Sequence, residues 1–356
     1  VDSITKENST PYSYFTDELT SQVKTALMEK LGYSETQAHN LLYSGGLQIY
    51  TTQDPKLQAI VDEEINNPDN YNVVRYSIEY RLSLQHADGT KEHFSQNNIK
   101  AWHKDILQET DFDALYNSEE EARGDAENFK NYIKKDTDEV IGESITVTLQ
   151  PQISFVLMDQ ATGEVKAIVN MMQGKDGEYY EMRNNAISDM LEPGSTFKTA
   201  SIMVALEDGK ITPDYVVDTG NGQMPMYGRV MKDHNWHRGG YGKIDVTRIL
   251  EVSSNVGVSY LIDKHYKDNP QKFVDGLKRM SIDQPLHLQI PGEGKPNIKG
   301  PKERYFAKTT LPWMSIGYET QVPPMNILTF YNAIANNGVM VRPKFVKAAV
   351  KDGEVV

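Results

Sequence analysis

"EPGSTFKTAS", residues 192–201, decides how this chain is read. Pro193-Gly194 supplies a turn into a helix, and Ser195 falls at that helix's N-terminal end. Free backbone N–H groups and the positive end of the helix dipole favour a developing alkoxide there. Lys198 stands at i+3, so its amine shares a helix face with the serine hydroxyl. A serine is a weak nucleophile until a base takes its proton. A lysine can be that base only when desolvation or a nearby cation pulls its pKa toward neutrality. Phe197, Ile202, Met203, Ala205 and Leu206 make a buried helix that ends before Gly209, which is the setting such desolvation needs. Ser-x-x-Lys alone recurs by chance in a chain this long, and a packed helix start reads the same way. The preceding turn and the apolar continuation favour a nucleophile and its base.

A second element strengthens this. Ser253-Ser254-Asn255 lies 58 residues after Ser195, in a short polar break between the apolar runs "VTRILEV" and "VGVSYLI". Ser253 can relay a proton between the lysine and a leaving amine, Asn255 can hold Lys198 and a substrate amide, and Ser254 is placed to contact substrate. Ser and Asn are also ordinary residues of an inter-helix turn.

Together, "EPGSTFKTA" and "SSN" resemble the penicillin-binding proteins, the D,D-transpeptidases that cross-link peptidoglycan, whose motifs are S-x-x-K, S-x-N and K-T-G. "DQATGEVKAIVNM", "DHNWHRGGYGKI" and "LPWMSIGYETQVPPMNILTFYNAIANNGVMVRPKFV" extend the resemblance over about residues 150–356, to the monofunctional, division-type transpeptidase domain. The resemblance implies an α+β, β-lactamase/transpeptidase-like domain at 151–356, with helices on an antiparallel sheet. Residues 1–150 ("NLLYSGGLQIYTTQDPKLQAIVDEE", "IEYRLSLQHADGT") are similar to the mixed α/β linker region of bifunctional members, with any seam near 155–170.

What the resemblance implies for chemistry is an acyl-serine route. Ser195 attacks the penultimate D-alanine carbonyl of a stem peptide, Lys198 takes the proton, Ser253 relays it and Asn255 orients the partners. The N–H of Ser195 supplies one oxyanion donor. β-Lactams acylate the same serine, and no cofactor is implied. The family's third motif is not found in order: Lys308-Thr309-Thr310 precedes "SIGYE" and lacks the glycine, so it reads as a loop or strand run. Without that strand one oxyanion donor is missing, worth about 10²–10³ in rate. The expectation is a weakly active or inactive fragment whose sheet lacks later strands and whose first hairpin has an open edge. Implied partners are stem peptides, β-lactams and proteins of a cell-wall synthesis complex. The implied place is the extracytoplasmic face of the bacterial membrane, with any anchor outside this chain. A D,D-carboxypeptidase, a serine β-lactamase, a β-lactam sensor and a non-catalytic scaffold remain as alternatives.

Bulk properties bound the rest. The 356 residues suffice for two or three domains, and 38% hydrophobic with 24% charged is a soluble globular composition. A net charge of −13 argues against nucleic acid. No cysteine is present, which removes disulfides and thiol catalysis. The start, "VDSITKENST", is polar and reads as neither a signal peptide nor an anchor, so the protein is soluble or a piece of a longer chain. His234 and His237 are three apart with no third ligand, a weak metal signal, and read as groove-rim residues. "GNG" at 220–222 lacks the following Lys-Ser/Thr of a phosphate loop. Helices are expected in "SYFTDELTSQVKTALMEKLG", "PKLQAIVDEEI", "SQNNIKAWHKDIL" and "SEEEARGDAENFKNYIKK", the last as a solvated surface helix beginning at Glu119-Glu120-Glu121. Strands are expected in "GGLQIYTTQD" and in "VVRYSIEYRLSLQ", which turns at "HADGT". A hairpin is expected where "ISFVLMDQ" and "EVKAIVNM" flank Ala-Thr-Gly.

Overall fold

The computed structural model describes residues 14–70, 75–150, 153–169, 185–288, 292–351 and 353–355. The sequence start and the end of the second hairpin strand lie outside them. The chain divides into two compact units at 153/154, near the expected border at 150, and also at 61/62. Residues 14–61 belong with 154–169 and 185–355, while the second unit is built on residues 62–153.

The chain begins with α1 (Tyr14–Leu31), which buries Leu19, Val23 and Leu27 at a spacing of four. α2 (Glu35–Tyr43) follows, opened by a capping box: Ser34 Oγ accepts from the Gln37 N–H, and Gln37 Oε1 from the Ser34 N–H at 2.8 Å. Next come β1 (Gln48–Thr51) and α3 (Pro55–Asn66), where Asp54 Oδ1 accepts from the Lys56 N–H at 3.0 Å and proline takes the first helical position.

The second unit has β2 (Arg75–Gln85), β3 (Lys91–Ser95), α4 (Gln96–Asp105), β4 (Leu115–Tyr116), α5 (Glu119–Ile133) and β5 (Glu139–Gln150). β2 is central and pairs antiparallel with β3, β4 and β5. Its alternation puts Ile78, Tyr80, Leu82 and Leu84 on one buried face. α5 is not the fully solvated helix its charge suggests. Ala122, Ala126 and Phe129 form a narrow buried stripe that joins the β2 face in one core. Two small alanines sufficed, and the acidic residues around them hid the stripe.

His86, just after β2, sits between two carboxylates: Nδ1 lies 3.0 Å from Asp138 and Nε2 3.2 Å from Glu92. The Asp138 hydrogen bond, above all, raises its pKa over 6.5. A raised folded-state pKa gives stability that is complete below pH 6.5 and lost as pH rises through the folded value. The difference in thermal stability between wild type and His86→Gln should therefore shrink as pH rises above 6.5. A difference that stays constant would show that the charge contributes nothing.

The first unit resumes with the hairpin β6 (Phe155–Met158) and β7 (Val165–Val169), then α6 (Asn185–Ser188) and α7 (Lys198–Glu207). Four short strands follow, β8 (Val216–Asp218), β9 (Gln223–Met226), β10 (Arg229–Lys232) and β11 (Lys243–Asp245). Helices α8 (Val246–Glu251), α9 (Asn255–Tyr266) and α10 (Pro270–Arg279) come next. The chain continues through β12 (Asn297–Ile298), α11 (Thr310–Met314), β13 (Thr320–Gln321) and α12 (Pro324–Ala335) to the pair β14 (Val346–Lys351) and β15 (Glu354–Val355). Helices mixed with antiparallel pairs make the unit α+β. One core gathers Phe197, Val204, Val258, Leu261, Phe273 and Leu277 from α7, α9, α10 and the turn before α7. A second joins α1 and α2 to Val165, Ile187, Met325 and Phe345.

The early residues join this unit through hydrogen bonds. β1 pairs antiparallel with β14. The Thr52 hydroxyl is 2.7 Å from the Val165 carbonyl and 2.9 Å from that of Lys344. The Asp54 N–H donates to the Lys166 carbonyl at 2.9 Å. The Gln58 amide mimics a strand, donating to the Ile168 carbonyl and accepting from its N–H, both at 3.1 Å. The hairpin, expected to have an open edge, is thus sealed along β7 by residues 52–58 and by Lys344, whose carbonyl accepts from Val165. On the other side, no described strand pairs with β6 beyond β7.

Candidate active site

The segment 192–201 forms a single 3₁₀ turn, Gly194–Phe197, that runs into α7. The Lys198 N–H closes on the Ser195 carbonyl, so the two residues stand one turn apart. Ser195 is exposed, whereas Lys198 is 2% exposed. Phe197, Ala200, Ile202 and Val204 hold the helix in the core, while Leu206, expected inside, is exposed.

Lys198 Nζ donates to Ser253 twice, to the carbonyl at 2.7 Å and to Oγ at 2.9 Å. Ser253 has φ +54°, a left-handed conformation that is uncommon outside glycine, asparagine and aspartate. That bend brings its carbonyl and its hydroxyl to one amine. Burial lowers the Lys198 pKa from 10.5 to about 8, and the charge of Asp233 opposes the fall. A base that is neutral in about one molecule in ten at pH 7 can accept a proton and also return it.

The rest of the Ser-Ser-Asn element differs from expectation. Ser254 is 0% exposed, so it cannot form a substrate-contacting wall. Its hydroxyl lies 3.0 Å from both Asp233 carboxylate oxygens, and Oγ accepts the Gly257 N–H at 2.9 Å as the N-cap of α9. Asn255 does not turn its Nδ2 to Lys198. It donates to the Lys232 carbonyl at 2.8 Å, which ties α9 to β10. Asp233 was not singled out from the sequence. It is 1% exposed and also accepts the Val256 N–H at 2.9 Å.

A second support, also unforeseen, reaches the serine turn from 315–331. The Gly194 N–H donates to the Gly317 carbonyl at 3.0 Å, and the Glu319 N–H to Glu192 Oε1 at 2.8 Å. Ser201 Oγ donates to the Ser315 carbonyl at 2.8 Å. Tyr331, on α12, donates its hydroxyl to the Thr196 carbonyl at 2.8 Å and lies 2.9 Å from Thr199 Oγ1.

The remaining sequence candidates are placed elsewhere. Lys308-Thr309-Thr310 lies at the start of α11, where Thr310 Oγ1 accepts the Ala307 N–H, and not on a strand. His234 contacts the Tyr241 hydroxyl and His237 the edge of Trp236, both on an exposed loop. Among the described residues no group of three or more His, Asp or Glu could hold a metal ion. Gly222 packs against Gly240 and Trp236, so "GNG" serves a close backbone approach.

Residues 153–355 match the family model for the penicillin binding protein transpeptidase domain. The chain belongs to this family. Among curated penicillin-binding proteins, it is 29% identical over 205 residues to PbpB of Mycobacterium tuberculosis, covering 56% of this chain and 29% of the relative. It is 30% identical over 202 residues to the probable peptidoglycan D,D-transpeptidase PenA of Neisseria flavescens, covering 55% and 48%. It is 31% identical over 195 residues to the peptidoglycan D,D-transpeptidase FtsI of Escherichia coli K12, covering 52% and 31%. The matched part is thus less than half the length of each of these relatives. A penicillin-binding protein 3 structure from Mycobacterium tuberculosis, complexed with ampicillin, matches with a TM-score of 0.49 and 27% identity over 57% of this chain and 45% of that one.

Proposed function

We propose that the first unit belongs to a peptidoglycan D,D-transpeptidase that works through an acyl-serine intermediate and is acylated by β-lactams. The observation that carries this reading is the buried Lys198, with its lowered pKa, one turn from an exposed serine and hydrogen-bonded to Ser253. In the proposed sequence, Ser195 Oγ bonds to the carbonyl carbon of the penultimate D-alanine while its proton passes to Lys198 Nζ. The tetrahedral adduct collapses by breaking the C–N bond to the terminal D-alanine, whose amine receives that proton through Ser253 Oγ. An amine of a neighbouring stem peptide then attacks the ester and gives a proton to Lys198. The new amide forms as Ser195 Oγ–H is restored. Asn255, anchored through Nδ2 to Lys232, offers its carbonyl oxygen to orient the peptide.

The substrate places this reaction on the extracytoplasmic face of a bacterial membrane. No described helix is long and apolar enough to cross one. Incubation with a fluorescent penicillin, followed by digestion and mass spectrometry, tests the reading. The expected result is a covalent adduct on the peptide holding Ser195, formed slowly because one oxyanion donor is missing, that disappears in Ser195→Ala. An adduct elsewhere, no adduct, or labelling retained by the alanine variant would overturn it.

A further inference from the structure

Asp233 stands at the end of β10, buried and surrounded by neutral donors: the Ser254 hydroxyl and the Val256 N–H. Its own N–H donates to the Gly222 carbonyl at 2.9 Å, and its carbonyl accepts from Trp236 at 3.2 Å, so its backbone is fixed as well. A buried carboxylate without a cation is costly. The buried cation at hand is Lys198, and the two are linked through consecutive residues: the ammonium grips Ser253 and the carboxylate grips Ser254.

We propose that Asp233 is a positioning residue for Lys198, and that its charge keeps the transferred proton on that amine between the two halves of the reaction. The inference rests on Lys198 acting as the base. Burial without Asp233 would lower the amine's pKa further and make it a poorer holder of the proton it accepts. Asp233 restores part of the ammonium's stability, so the amine keeps the proton it accepts until the leaving group takes it. The groups facing the amine are the Ser253 carbonyl and hydroxyl from the turn before α9 and, by its field, Asp233 from β10. Among the described residues, no other charged side chain acts on it.

The test reads Lys198 directly. With ¹³C-labelled lysine in the whole chain, the Lys198 Cε resonance is assigned by its loss in Lys198→Met, and its titration is followed. The wild-type midpoint is expected near 8, and Asp233→Asn should lower it by about 1 pH unit. A midpoint that stays or rises overturns the proposal. Should the Asn variant not fold, Asp233→Ser, smaller and neutral, gives the same reading. A purely structural Asp233 would lower the rate of penicillin labelling by one factor at every pH. The proposed one moves the acid limb of that profile to lower pH together with the resonance. If the midpoint falls but no adduct ever forms on Ser195, the coupling stands and the transpeptidase reading fails. If labelling proceeds and the midpoint does not move, the coupling fails alone.

Discussion

Lys198→Met is expected to make the protein more stable and far less reactive. Removing a general base lowers acylation by about 10²–10⁴-fold. The gain in stability follows from the pKa. A lysine shifted from 10.5 to about 8 opposes folding by about 3 kcal/mol wherever it is protonated in both states. The methionine variant forfeits the two hydrogen bonds to Ser253 and leaves its carbonyl unsatisfied, which returns about 1–2 kcal/mol. A net gain of about 1–2 kcal/mol at pH 7 remains. The sign is checked by pH. A depressed lysine pKa means the folded state binds fewer protons, so the opposition is full below about pH 8 and vanishes as pH rises past 10.5. Urea denaturation of both proteins should show the variant ahead at pH 7 and its advantage lost in alkali. A variant less stable than wild type at neutral pH would mean that burial does not strain this amine.

Gly317→Ala should have the opposite effect on stability and the same effect on labelling. Gly317 has φ +87°, and an added Cβ would lie 2.0 Å from the Gly194 carbonyl oxygen and 2.5 Å from its nitrogen. Both neighbours are backbone of the turn that presents Ser195, so relief requires moving the turn. Overpacking of about 1–3 kcal/mol, with left-handed strain of about 1–2 kcal/mol, gives about 2–5 kcal/mol. The Gly194–Gly317 hydrogen bond would break, and Ser195 would leave its register with Lys198. Unchanged denaturation and unchanged labelling of this variant would show that the 315–319 segment does not hold the turn.

The parts legible in the sequence are those encoded locally. Ser195 and Lys198 share a short stretch with its own turn and apolar face, and the alternation of β2 is visible in "RYSIEYRLSLQ". α2 is equally legible through Ser34-x-x-Gln37, a capping box that follows Gly32 and precedes a strand. Asp233 was not legible, because a lone aspartate in "KDHNW" resembles any loop residue until the fold buries it beneath Ser254. The inward turn of Ser254 was hidden for a related reason, since adjacent serines look alike until a positive φ sends one outward and leaves the other beneath. Residues 48–58 misled by their neighbours in sequence. Their partners lie more than a hundred positions away, so no local pattern could assign them to the second half of the chain.

That long reach sets an order of events during synthesis. Thr52 meets Lys344 across 292 positions, and β1 has no strand partner until β14 has been made. Among the described residues, every strand that pairs with β2 lies within 75–150, so that pairing can form as soon as this stretch emerges. The flanking unit must instead leave β1 unpaired until the chain has grown almost to residue 350, although residues 52–58 meet β7 once residue 168 is made. Closing so long a loop is slow. Through that interval the core that α1 and α2 share with Met325 and Phe345 stays incomplete and β1 keeps a free edge, which makes the early segment the point at which a chaperone, or an aggregate, would first take hold.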